Sequence, residues 1–117
     1  MRRLLAILAY FSVTLFAAGY NGTWKGSLDT PHGKLQNVLT IKTEGEKLVG
    51  TLKNEMGEFP LQNGSVDGLD VFFTVIMKRD GNDVKTNFRG HMFQNEEIQF
   101  KIDTGEDTFD MIAQKIS

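Results

Sequence analysis

The side chains that could carry metal or acid–base chemistry are few and scattered along the chain. His32 lies in a turn between Pro31 and Gly33, and His91 lies in a predicted strand. Neither has a second histidine at metal-ligand spacing, and the chain contains no cysteine. We interpret both as surface histidines, so the sequence predicts no metal site.

The carboxylates also lack a catalytic arrangement. Glu96 and Glu97 are adjacent, and successive side chains of a strand point to opposite faces, so these two cannot act on one substrate. Four aspartates near glycines, as calcium ligands can be, are Asp67, Asp70, Asp80 and Asp83. They lack the spacing of an EF-hand loop, and turn formation explains them. No Gly-x-Ser-x-Gly motif supplies a nucleophilic serine. We therefore expect no enzyme and no cofactor.

Length and composition indicate one small globular domain. The 117 residues are 40% hydrophobic and 24% charged, which argues against disorder. The formal net charge is -2, and without Arg2 and Arg3 the remaining 11 basic and 15 acidic residues give -4. Because the lysines are scattered among acidic residues, the chain offers no basic face, and we expect no nucleic-acid partner.

Residues 1–19 have the three parts of a secretory signal peptide: two arginines near the amino terminus, an apolar stretch over 4–16 and small residues at 17–19. An apolar stretch of roughly 13 to 16 residues is shorter than the ~20 that span a bilayer. We therefore predict cleavage before Tyr20 rather than a membrane anchor. Without a cysteine for lipid attachment, the expected product is a single secreted or periplasmic domain over 20–117 with no membrane span.

Turn signals recur every ten to twelve residues after the signal segment, which is typical of an all-β protein. The predicted turns lie at 30–33, 44–46, 54–57, 63–64 with 67–68, 80–82, 94–96 and 104–106. Between them the side chains alternate between apolar and polar, most clearly where Ile98, Phe100 and Ile102 face one way. The sequence thus predicts an antiparallel up-and-down meander of about eight strands.

Two local signals refine this meander. Asp80-Gly81 predicts a type I′ hairpin, because both residues adopt positive φ angles at low cost. Pro60 falls within the short fourth strand, 58–63, and cannot donate a ladder hydrogen bond. We therefore expect Pro60 at an edge, a bulge or the end of a strand.

Glycines inside strands indicate that the sheet coils on itself. Gly26, Gly50 and Gly90 occupy strand interiors, where glycine commonly marks bulges or tight bends. Closure would remove the exposed edges that invite aggregation. The fold class that follows is a small closed barrel, whose interior is either filled by side chains or holds one small ligand.

The fifth predicted strand, 71–77, is apolar on both faces. A neighbouring loop, a chain terminus or the curl of the sheet would cover its second side. The alternative is a subunit interface that includes Phe72 and Ile76, because an uncovered apolar strip tends to mark an association surface.

Gly22-Thr23-Trp24 begins the first predicted strand and contains the only tryptophan. This motif resembles the Gly-x-Trp opening of lipocalins, fatty-acid-binding proteins and avidins, the calycin group of ligand-binding barrels. The chain has no room for the helices that accompany the first two of these barrels. The resemblance implies that Trp24 plugs the closed end of the barrel and is covered by a basic residue, Lys115 or, as second choice, Arg89.

A second resemblance covers more of the chain and implies less about function. The segments 24–26, 30–33 and 45–51 look like those of small uncharacterised bacterial secreted domains, some of which are appended to extracellular hydrolases.

Two non-catalytic functions remain open, and the third alternative is an enzyme that would act through a lone acid or histidine in the barrel mouth. One is a barrel that binds a small apolar or amphipathic ligand, and its candidate lining residues are Trp24, Phe73, Phe88, Phe100 and Phe109. The same five side chains would otherwise form a filled core. The other is an interaction module, either a homodimer through 71–77 or an accessory domain that docks on an envelope protein or polysaccharide. A cavity of at least ~300 Å³ with a mouth would favour ligand binding.

Overall fold

A computed structural model describes residues 18–31, 33–94 and 96–117, with all their side chains except those of Ala18 and Arg79. Residues 1–17, which carry most of the predicted signal peptide, and His32 lie outside the described residues. A single 3₁₀ turn, Ala18–Tyr20, precedes the strands. The strands are β1 (Gly22–Thr30), β2 (Gly33–Glu44), β3 (Lys47–Asn54), β4 (Gly57–Pro60), β5 (Gln62–Asp67), β6 (Asp70–Arg79), β7 (Asn82–Phe93), β8 (Glu97–Asp103) and β9 (Thr108–Lys115).

The strands form one antiparallel sheet that closes on itself. β1 pairs with β2 on one side and with β9 on the other, and β2 pairs with β3. β4 and β5 follow each other along β3, so together they occupy one of eight positions around the barrel. The predicted all-β meander that closes into a small barrel of about eight strands is confirmed.

The fourth position is interrupted where β4 ends. Pro60 is the last residue of β4, which confirms the expected strand end. The predicted turn at 63–64 is wrong, because Asn63 adopts a left-handed conformation (φ 53°) within β5 and the strand register shifts between Gln62 and Ser65. This bulge lets the strand continue to Asp67, where the chain then reverses.

The hairpin between β6 and β7 has the predicted geometry. Asp80 and Gly81 have φ angles of 52° and 80°, as a type I′ turn requires. This two-residue turn fixes the strand register, so Phe73 lies opposite Phe88 and Asp70 lies opposite His91.

Inward-facing side chains from all around the barrel form the core. Alternation is clear in β8, where Ile98, Phe100 and Ile102 are buried and the intervening Gln99 and Lys101 are exposed. The buried apolar side chains of the other strands are Trp24, Leu28, Leu39, Ile41, Leu48, Leu52, Val71, Phe73, Val75, Phe88, Met111 and Ala113.

The surroundings of two strand glycines explain why a larger residue does not fit at these positions. Gly50 has a φ of 147°, and a side chain there would run into the backbone carbonyl of Thr40 on β2. Gly90 faces inward, and a Cβ atom would lie 2.6 Å from the Phe100 ring on β8. Gly50 therefore allows close approach of two strands, and Gly90 makes space for an aromatic ring.

Among the described residues there is no helix with the length and apolar character needed to cross a bilayer.

Candidate functional site

One end of the barrel is closed by Trp24 and the 3₁₀ turn. Trp24 has no exposed surface, and Tyr20 is only 2% exposed. The Lys115 ammonium lies 5.9 Å from the centre of the indole ring, because β9 pairs with β1 such that Lys115 faces Trp24. Lys115 is thus the basic residue over the tryptophan, whereas Arg89 is exposed and pairs with Phe72.

A cluster of three phenylalanines fills the middle of the barrel. The Phe73 and Phe88 rings stack with centroids 4.7 Å apart. Phe100 meets both rings edge-on, at 5.8 Å from Phe73 and 6.0 Å from Phe88. Stacked and edge-to-face pairs are favourable beyond the area they bury, so this cluster forms a firm apolar layer.

Beyond this layer the barrel opens into a cavity of about 390 Å³. The turns that follow β1, β3, β6 and β8 surround its mouth, at the end of the barrel opposite Trp24. Its apolar wall consists of Leu28, Leu35, Met77, Val84, Phe88, Ile102 and Phe109. Most of the cavity wall is therefore aliphatic or aromatic, as in binding sites for small apolar molecules.

Two buried polar side chains interrupt the apolar wall. Asn37 is 2% exposed and Thr86 is 3% exposed, and both line the cavity. Asn37 faces inward because it lies two residues before Leu39 on β2, and strand side chains alternate. Asn37 and Thr86 thus place hydrogen-bonding groups among the apolar side chains of the cavity wall.

Both positively and negatively charged residues surround the mouth of the cavity. Lys34, Lys78, Glu55 and Asp107 line the rim, and all four are exposed. These four described side chains balance two positive charges against two negative ones. Within the described part of the rim, neither sign of charge predominates.

The five predicted lining residues divide between the cavity and the core. Phe88 and Phe109 line the cavity. Trp24 belongs to the closed end, and Phe73 and Phe100 pack behind Phe88 rather than at the cavity surface. Asn37 and Thr86 were not singled out by the sequence, although extending the alternation of β2 and β7 places both on the core face.

Next to the cavity, two separate strands, β4 and β5, share one position of the barrel wall. β4 pairs with β3, and β5 pairs with β6 only as far as Gln62 opposite Thr74. No backbone pairing joins β4 to the second half of β6 within the described residues. Met77 and Lys78 of that half-strand line the cavity, so the cavity is bounded there by side chains rather than by a continuous ladder.

The apolar strip on the outer face of β6 remains partly exposed. Phe72 and Ile76 are each 38% exposed. Thr74 between them is buried and donates a hydrogen bond of 2.8 Å to Asn87 Oδ1 on β7. The strip is thus two separated apolar side chains with a satisfied polar pair between them.

His91 lies near the closed end, and its side chain is on the barrel surface, as predicted. Its Nδ1 atom is 2.7 Å from Asp70 Oδ1, and each side chain is 47% exposed. The β6–β7 hairpin register brings Asp70 and His91 together, and this pair was not predicted from the sequence. A surface pair of this kind contributes little to stability.

Burial shifts the titration of one residue at the closed end. Burial, together with a smaller effect of the nearby Asp70 charge, raises the pKa of the Tyr20 phenol from 10.0 to about 12. The phenol oxygen donates a hydrogen bond of 3.2 Å to the carbonyl of Gly68. Tyr20 is consequently a neutral donor at physiological pH.

In the part of the chain that the structure describes, no group of three or more histidine, aspartate or glutamate side chains could hold a metal ion. No protein-family model matches the chain, and no curated protein matches it in sequence.

Proposed function

We propose that the protein is a non-catalytic binding barrel that takes a small apolar or amphipathic ligand through its open end. The observation that carries this proposal is the cavity of about 390 Å³. Its volume falls within the ~300–1,000 Å³ of sites for small molecules, and an apolar wall with few polar groups is characteristic of them. A barrel interior filled by side chains would have favoured the interaction module instead.

The arrangement of the two barrel ends also supports the proposal. Trp24 and Lys115 close one end, as the resemblance to calycin barrels implies, while the other end opens. A ligand would enter between the turns after β1, β3, β6 and β8. Phe88 and Phe109 would contact it, and Trp24, Phe73 and Phe100 would support the wall from behind.

We further propose that the barrel acts outside the cytoplasm, secreted or periplasmic, after removal of residues 1–19. The burial of Tyr20 supports a cut at this point, because Tyr20 packs in the core and its carbonyl accepts the hydrogen bond of the Trp24 indole. A cut after Tyr20 would remove part of the core.

A cavity-filling variant tests ligand binding. Val84 lies in the cavity wall and is half-buried, so Val84→Phe should occupy part of the cavity with little cost to folding. We expect the uncharged fluorophore Nile red to bind the wild-type protein and to lose at least tenfold in affinity with Val84→Phe. Val49→Phe is the matched control, because Val49 is 37% exposed on the outer face of β3. If the wild type, Val84→Phe and Val49→Phe all bind Nile red equally, the dye binds outside the cavity and the proposed site is refuted.

Native mass spectrometry of protein purified from its own host gives an independent test. We expect a chain that begins at Tyr20 and a retained small molecule that is released on denaturation. A ligand-free chain under conditions that preserve other known complexes in the same extract would argue against ligand binding.

The second candidate function is an interaction module, which the exposed Phe72 and Ile76 favour. If this strip forms a homodimer, sedimentation should show a dimer that Ile76→Asp dissociates and Val49→Asp does not. A monomer at high concentration, unchanged by Ile76→Asp, would remove the homodimer and leave docking on an envelope protein or polysaccharide.

A further inference from the structure

We infer that the cavity selects an uncharged amphipathic ligand, whose hydroxyl or carbonyl oxygen enters the barrel and hydrogen-bonds to Asn37 and Thr86. This inference rests on the proposed binding function and specifies the ligand class. The alternative is an ionised amphipath, such as a fatty-acid anion, with its charged group at the same depth.

Asn37 has hydrogen-bonding capacity that the protein uses incompletely. Its Oδ1 atom accepts a hydrogen bond of 3.0 Å from Asn54 Nδ2. Its Nδ2 atom donates toward the Met111 sulfur at 3.6 Å, and a thioether is a weak acceptor. An amide nitrogen carries two donors, so Asn37 can offer a donor to a ligand oxygen inside the cavity.

Thr86 provides the second polar group. Its side chain is 3% exposed and lines the cavity, and its hydroxyl makes no hydrogen bond within the described part of the chain. No fully enclosed side-chain oxygen or nitrogen among the described residues lacks a partner, so this hydroxyl must reach the cavity space. A water molecule or a ligand oxygen in the cavity can therefore form a hydrogen bond with this hydroxyl.

The described side chains inside the barrel offer no countercharge for an ion. Among the described residues, the buried polar side chains are Asn37, Thr74 and Thr86, none of which is charged, and Thr74 bonds to Asn87 on the outer face. Lys34 and Lys78 are at the rim, where Glu55 and Asp107 accompany them. Burying a carboxylate away from water without a cation is costly, so the inner site favours a neutral oxygen.

Displacement of Nile red from the full protein tests the ligand class with three ten-carbon probes: decane, decanol and decanoate at neutral pH. We expect decanol to displace the dye at concentrations at least tenfold lower than decanoate. Thr86→Val removes the hydroxyl with little change in shape, and should weaken decanol about three- to tenfold while leaving decane unchanged, since one hydrogen bond is lost. Asn37→Leu should act in the same direction.

Thr74→Val is the matched control, because it makes the same substitution at a buried hydroxyl that lies outside the cavity lining. It should leave all three probes unchanged. If decanoate binds as tightly as decanol, or if Thr86→Val and Asn37→Leu both leave decanol unaffected, the selectivity inference is overturned while the binding barrel stands. If Nile red does not bind, or Val84→Phe leaves its affinity unchanged, the binding function itself fails.

Discussion

The indole Nε1 atom of Trp24 donates a hydrogen bond of 3.0 Å to the backbone carbonyl oxygen of Tyr20. The Tyr20 phenol in turn donates to the Gly68 carbonyl between β5 and β6. The 3₁₀ turn is therefore tied to the first strand and to a loop on another side of the barrel. Neither Tyr20 nor Trp24 lines the cavity, so the bonded closed end is separate from it.

Trp24→Ala should lower the free energy of unfolding by about 3–5 kcal/mol, because it leaves a large cavity and removes the donor to Tyr20. For a domain of this size without disulfides, that is a large share of the total stability. Denaturant titration measures it. Phe93→Ala, at an aromatic residue that is 46% exposed near the same end, should cost much less. A loss below ~1 kcal/mol for Trp24→Ala would show that Trp24 is exposed in solution.

Stability should fall at high pH because of Tyr20. The folded pKa of about 12 exceeds the unfolded value of 10.0, so the stabilising contribution is complete below pH 10 and is lost as the pH rises toward 12. A shift of this size corresponds to roughly 2–3 kcal/mol. In the chain from 20 to 117, Tyr20 is the only tyrosine, so tyrosinate absorbance follows it directly.

The control is Tyr20→Phe, which keeps the ring in the core and removes the titrating group. As the pH rises from 10 to 12, the wild type should lose up to roughly 2–3 kcal/mol of unfolding free energy relative to the variant. A constant difference across this window, or titration of the wild-type phenol near pH 10, would contradict the buried phenol.

Lys115→Met should lower the free energy of unfolding by about 0.5–1 kcal/mol through loss of the cation–π contact with Trp24. Methionine keeps an apolar stem of similar length, so the packing over the indole is largely retained. Lys25→Met is the matched control, since Lys25 is exposed on the neighbouring strand. Denaturant titration that gives equal values for the two variants would show that the contact at 5.9 Å carries no measurable energy.

The fold could be predicted because its main determinants are local. Alternating side chains identified the strands, and the Asp80-Gly81 turn fixed the register that places Phe73 opposite Phe88. The bulge at Asn63 was missed, because Asn-Gly forms turns and bulges with the same left-handed backbone conformation. Whether the chain reverses there depends on pairing with β3 and β6, which is a non-local property.

The cavity could be predicted only in part. Alternation tells which side chains face inward, but it does not give their depth along the barrel axis. Alternation therefore could not tell that Phe88 lines the cavity and that Phe100 does not. The cavity volume depends on how the rings stack and on strand tilt, so neither the opening nor the lining positions of Asn37 and Thr86 followed from the pattern.

Gly90→Ala should destabilise the barrel by about 1–3 kcal/mol, because the added methyl group overpacks a filled region. Its carbon would lie 2.6 Å from a ring atom of Phe100 and 2.8 Å from Ile98 Cγ2. Phe100 cannot move freely, because it packs edge-on against both Phe73 and Phe88. The cost should therefore appear as strain in this aromatic cluster.

A double-mutant cycle with Phe100→Leu separates this strain from other effects of replacing glycine. Phe100→Leu alone should cost stability by removing ring contacts, but it frees space over position 90. The double variant should thus be more stable than the sum of the single losses predicts, by about 0.5 kcal/mol or more, as expected for residues in contact. Strict additivity in denaturant titration would mean that the glycine is required for its backbone rather than for the ring above it.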